Sequence, residues 1–138
     1  MNPDALTTDS YPSIAEFERL AFDPEAFDHT AHVFVGWEMV RTFPLTEAID
    51  RYSTTLRRLT KKLSLESKYH ETITWFFMIL ISERQLRTQA ETWADFTEAN
   101  ADLINESKEL IGSHYSKERL SSDHARQQFL MPDLPAID

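Results

Sequence analysis

The stretch Ile73-Thr74-Trp75-Phe76-Phe77-Met78-Ile79-Leu80-Ile81 decides how this chain is read. Only Thr74 interrupts the apolar run, so periodicity inside it cannot separate a buried strand from a buried helix. Length separates them. The run continues as Ser82-Glu83-Arg84-Gln85-Leu86-Arg87-Thr88, rich in helix formers and too long in total for a strand. The spacing therefore predicts a helix from about Lys68 to Thr88. Its middle is apolar nearly all round, which predicts the central helix of a bundle, with a core centred on Trp75, Phe77, Met78 and Ile81. So much apolar surface on one short chain also leads us to expect a homodimer.

Working outward, Ser64-Leu65-Glu66-Ser67 reads as a short connection from a preceding helix that starts near Leu45 or Thr46. That helix has an apolar stripe (Ala48, Ile49, Tyr52, Leu56, Leu59, Leu63) and an opposite face of Asp50, Arg51, Arg57, Arg58 and Lys61, so it is half-buried. The bases Arg57, Arg58, Lys61 and Lys62 fall in its last turns and complement the negative end of the helix dipole. Before it, Val33, Gly36, Val40 and Phe43 follow the helical period from about Phe27 until Pro44 ends the helix. A short helix is expected around Ile14, Phe17 and Leu20. Beyond the central helix, Trp93, Phe96, Ala99, Asn100 and Leu103 share one face. Shorter pieces over 106–112 and 117–129 follow, and Pro132 and Pro135 make 131–138 an extended tail. Residues 1–11 are polar and acidic and are expected to be flexible. The fold class is all-α: one domain over 1–138, an antiparallel helical bundle with additional short helices and an extended C-terminal tail.

Composition narrows the function. The chain has 138 residues, no cysteine and two glycines. It has no disulfide, no thiolate metal site and no glycine-rich phosphate loop. A formal charge of −9 makes nucleic acid an unfavourable partner. The apolar run is too short to span a bilayer, and no signal-like start appears, so we expect a cytoplasmic protein without a membrane partner.

The histidines carry the one constellation. His29 and His32 lie three apart, on one side of the helix predicted to start near Phe27. His70, followed by Glu71, falls in the first turn of the central helix. Short connections make successive helices antiparallel, so these two helices run parallel and their N-terminal ends share a level. Three neutral imidazoles and a carboxylate suit one divalent transition metal: zinc, iron, manganese or copper. His29, His32 and His70 would ligate it, and Glu71 would be the catalytic base or fourth ligand. Tyr52, Tyr69, Trp37 and Trp75 would line or support the pocket. Two other uses fit the same spacing. The rings can form a structural hydrogen-bond network, or help to hold an anion or small ligand where two helix N-termini converge. His70 and Glu71 stand about 100° apart on a helix, so joint ligation needs an irregular first turn. His114 and His124 read as surface residues.

The stretches Phe27-Asp28-His29-Thr30-Ala31-His32, Pro44-Leu45 and Lys68-Tyr69-His70-Glu71-Thr72, with Ala125-Arg126-Gln127-Gln128-Phe129 near the end, resemble a group of small bacterial all-helical proteins that share F-x-H-x-x-H and K-Y-H-E-T. The resemblance covers most of the chain after Phe27. It implies that these proteins place the same four side chains together, and it implies no activity. A looser likeness, of architecture alone, is to metal-dependent helical bundles of the DinB type, whose His-x-x-x-His pair comes late in the chain rather than early. The expectation is a metal-dependent enzyme of unnamed substrate. The alternative is a non-catalytic small-ligand-binding or accessory protein in which the histidines are structural.

Overall fold

The computed structural model describes residues 11–134, and these are all-α, with no strand among them. Among the described residues nine helices follow one another: α1 (Ile14–Glu18), α2 (His29–Thr42), α3 (Leu45–Lys62), α4 (Glu71–Thr88), α5 (Trp93–Ala99), α6 (Ala101–Asn105), α7 (Ser107–Gly112), α8 (Lys117–Ser121) and α9 (Asp123–Gln127). Short 3-10 turns at Pro24–Ala26 and Glu66–Lys68 precede α2 and α4. The long helices α2, α3 and α4 each pack on the other two. No helix of the described residues is long and apolar enough to cross a membrane.

Local chemistry sets the helix starts, and it moves two of them away from the sequence expectation. Helix α2 begins at His29 rather than near Phe27, because the Asp28 carboxylate accepts a hydrogen bond from the Ala31 amide at 2.9 Å and caps it. Helix α4 begins at Glu71 rather than Lys68. The residues before it close a 3-10 turn, and His70 stands outside the helix as its cap. At the other end Gln89 takes the left-handed conformation (φ 51°) that closes a helix C-terminus.

The core is centred on α2, not on α4 as the apolar run suggests. Seven of the fourteen residues of α2 are buried, including Val33, Val35, Trp37 and Met39. Only five of eighteen are buried in α4. Met78 and Ile81 are core residues as expected, whereas Trp75 and Phe77 are only partly buried. The rest of the apolar surface of α4 is spent elsewhere: Ile79 and Leu86 remain 37% and 75% exposed. Helices α2 and α4 approach closely at Gly36. A β-carbon there would stand 3.0 Å from Met78 Sδ and 3.1 Å from Ile81 Cδ1. An aromatic group of Trp37, Trp93 and Phe96, with ring centroids 5.6–6.0 Å apart, ties α5 to α2.

Of the segment expected to be flexible, residues 1–10 lie outside the described residues; Tyr11 packs on Phe34 at 5.2 Å. At the other end the chain crosses α4 at residues 128–130 and then lies against the turn before α8, where the Leu134 amide donates to the His114 carbonyl at 2.9 Å. Residues 135–138 of the expected tail lie outside the described residues. The Thr72 hydroxyl donates to the Gln128 carbonyl (2.8 Å) and accepts from the Leu130 amide (3.1 Å). Phe129 stacks on Trp75 at 5.2 Å, and the Tyr115 hydroxyl donates to the Leu130 carbonyl at 2.7 Å. Buried side chains without polar competitors hold the bundle; the tail is held by hydrogen bonds to groups already fixed by it.

Candidate functional site

A cavity of about 680 Å³ opens at the end of the bundle where α2 and α4 begin and α3 ends. His29, His32 and His70 all line it, together with Tyr52 and Tyr69. The three histidines thus line one cavity. Phe27, Val33, Leu56, Leu59, Ile73, Phe77, Met78 and Ile81 make the wall predominantly apolar.

The ring nitrogens tell the three histidines apart. His70 Nδ1 accepts from the Ile73 amide at 3.2 Å, which fixes the proton on Nε2. That Nε2–H donates to the Leu120 carbonyl at 2.7 Å. Both nitrogens are spent, one on capping α4 and one on anchoring α8. Burial holds this imidazole below the usual histidine range, partly offset by the Leu120 carbonyl. His29 is half-engaged: its Nε2 donates to the Leu103 carbonyl at 2.8 Å, fastening α6 to α2. His32 has no hydrogen-bond partner among the described side chains and backbone groups, and it packs on Phe27 with ring centroids 4.2 Å apart. Burial, reinforced by the neighbouring His29 and opposed by Asp28, lowers its pKa to about 4. It is a neutral imidazole at neutral pH, with its accessible edge at the cavity wall.

The expected carboxylate is elsewhere. Glu71 is not among the residues lining this cavity. Its carboxylate accepts from the Tyr69 hydroxyl, from Trp75 Nε1 at 2.9 Å and from Arg57 Nη2 at 3.2 Å. Every lone pair that a general base would use is taken. His70 is the extended cap residue and Glu71 the first residue of the helix, and their side chains make separate sets of hydrogen bonds. Burial and the Glu71 hydrogen bond push the Tyr69 hydroxyl up to about 12. Arg57, read from the sequence as a dipole partner, is the ion-pair partner of Glu71, and Arg58 donates to the Glu18 carbonyl at 2.8 Å.

The described residues do not form the metal centre expected from the sequence. Among them no group of three or more His, Asp or Glu side chains is placed to hold a metal ion. The reason is visible in the hydrogen bonds: His70 has no free nitrogen, His29 has one, and Glu71 faces away. Chelator should accordingly leave the melting temperature within about 1 °C of its value in buffer. A drop of several degrees on adding EDTA, reversed by zinc or manganese, would reinstate a metal.

The remaining expected pocket residues divide. Tyr52 and Tyr69 line the cavity, and the buried Tyr52 hydroxyl donates to the His32 carbonyl at 3.1 Å. Trp37 and Trp75 do not line it: Trp37 Nε1 donates to Gln85 Oε1 at 2.8 Å within the core, and Trp75 belongs to the Glu71 cluster and the tail. His124 is exposed as expected, but His114 is half-buried beside Phe76 at 5.1 Å, with Nδ1 donating to the Leu110 carbonyl at 2.9 Å. The sequence analysis missed Lys68, Ser107 and Lys108, which also line the cavity. Nothing in local spacing points to α7, since only the fold brings it over the ends of α2 and α4.

Fold and site together define an all-helical protein with a largely apolar cavity at one end of its bundle. Comparison with protein-family models, with curated proteins and with solved structures gives no match for this chain.

Proposed function

We propose that this protein binds a small, largely apolar molecule carrying a polar group in the cavity between the ends of α2, α3 and α4. One observation carries the reading: a cavity of about 680 Å³ has in its apolar wall an imidazole, His32, without a described hydrogen-bond partner. Natural small-molecule sites occupy roughly 300–1,000 Å³ and are mostly apolar with a few placed polar groups. His32 is partly exposed at that wall, so a ligand group that bonds to it replaces water and is oriented by it, while the apolar wall supplies the burial. A neutral imidazole is both donor and acceptor, so it suits a ligand hydroxyl or carbonyl. His29 and His70 act here as fasteners, tying α6 to α2 and α8 to the start of α4. No reacting group is assigned, because Glu71 is saturated by its neighbours.

The test is saturable binding of an uncharged apolar fluorophore, N-phenyl-1-naphthylamine, to the full chain. Fluorescence should rise to a plateau at one probe per chain. Ile73→Trp, which places an indole in the cavity from a half-buried wall position, should abolish the rise while leaving the far-ultraviolet spectrum unchanged. Unsaturable fluorescence, or equal binding by the folded Ile73→Trp variant, would remove the cavity as the site.

A further inference from the structure

We propose that the natural occupant of the cavity is an amphiphile with an anionic head, its aliphatic or aromatic body inside and its carboxylate-like group held by Lys68 and Lys108. This rests on the reading of the cavity as a ligand site and names the class of ligand.

The chain carries 23 acidic residues against 14 lysines and arginines. Even so, among the described residues no Asp or Glu lines the cavity, and the only lysines or arginines that do are Lys68 and Lys108. The two come from separate elements, the turn before α4 and helix α7, so local sequence does not account for both lining one cavity. Both are exposed, and neither forms an ion pair with any described carboxylate; the seven ion pairs among the described residues all use arginine.

An exposed lysine alone would be unremarkable. Here two of them border a space whose inner wall is Phe27, Val33, Leu56, Phe77, Met78 and Ile81. Set in that wall and partly exposed to the cavity, His32 is neutral, so it offers an anion no repulsion and an N–H donor to an oxygen of the ligand. An uncharged apolar molecule would leave the lysines unused; a cationic one would meet two like charges and no carboxylate. An amphipathic anion uses both halves of the site: apolar burial supplies most of the affinity, and the ammonium pair orients the molecule.

Isothermal titration of the full chain with sodium decanoate, decyl phosphate, decan-1-ol and decyltrimethylammonium, all below micelle formation, separates the outcomes. Decanoate or decyl phosphate should bind at least tenfold tighter than decan-1-ol, and the stronger of the two identifies the head group. The cation should bind weakest. The double variant Lys68→Gln with Lys108→Gln should lose the tenfold preference while binding decan-1-ol as the wild type does. Equal binding of anion and alcohol, or a preference that survives in the double variant, overturns the anionic assignment while leaving the cavity as the site. Failure of all four to bind overturns both.

Discussion

Replacing Glu71 by alanine is expected to destabilise the protein by about 2–4 kcal/mol, measured by urea unfolding at neutral pH. The carboxylate is 9% exposed and gathers three donors from two elements: Tyr69 and Trp75 around the start of α4, and Arg57 from α3. Truncation leaves the Tyr69 hydroxyl and the Trp75 indole N–H without an acceptor in partly buried surroundings, and each such loss costs on the order of 1–3 kcal/mol. The ion pair adds little, because the Arg57 side chain is 51% exposed and screened by water. Position adds a further contribution: Glu71 is the first residue of an eighteen-residue helix, where a negative charge meets the positive end of the dipole. Glu71→Gln keeps the shape but supplies an amide N–H where donors already converge, so it should cost more than half as much as alanine. Binding of the naphthylamine probe should be unchanged in Glu71→Gln, since Glu71 lies outside the cavity lining. A variant of unaltered stability would show that the cluster holds nothing together.

Acid should weaken the fold through His32. In the unfolded chain this imidazole titrates near 6.5, and in the folded chain near 4. As pH falls below the unfolded value, the unfolded chain takes up a proton that the folded chain refuses. Stability is therefore fully present above about pH 6.5 and is lost progressively down to about pH 4. The shift corresponds to roughly 3 kcal/mol over the whole window, about 2 kcal/mol of it by pH 5. His70 is lowered in the same direction by burial and steepens the loss. In His32→Gln the difference in unfolding free energy between pH 7.5 and pH 5 should shrink by about that 2 kcal/mol. An undiminished acid sensitivity in the variant would place the proton uptake on another group.

The helical class was legible in residues 73–88 because a run of that length with Glu83, Arg84 and Gln85 in its continuation has no other regular solution. That His29, His32 and His70 lie toward the end of the bundle where one cavity opens follows from the helix directions that short connections impose. Two errors came from reading helices as isolated cylinders. Apolarity all round α4 suggested a central helix, yet one flank of it, including Ile73 and Phe77, faces the cavity, and the shorter α2 is the better buried. The predicted start at Lys68 placed His70 inside a helical turn, whereas its Nδ1 caps that helix from outside.

Composition and periodicity alone were enough to establish an all-α chain, its three long helices, the end of the bundle at which the histidines gather, and the lack of any cysteine-based site. What those histidines are free to do depended on atoms remote in the chain. The carbonyls that occupy His29 and His70 belong to Leu103 and Leu120, 74 and 50 residues away, and the second lysine of the cavity lining, Lys108, is on α7. A hydrogen bond is decided by a few tenths of an ångström and an angle, and no residue spacing encodes either. The sequence could therefore nominate the imidazoles, but only packing could assign each nitrogen its partner and leave His32 facing the cavity without one.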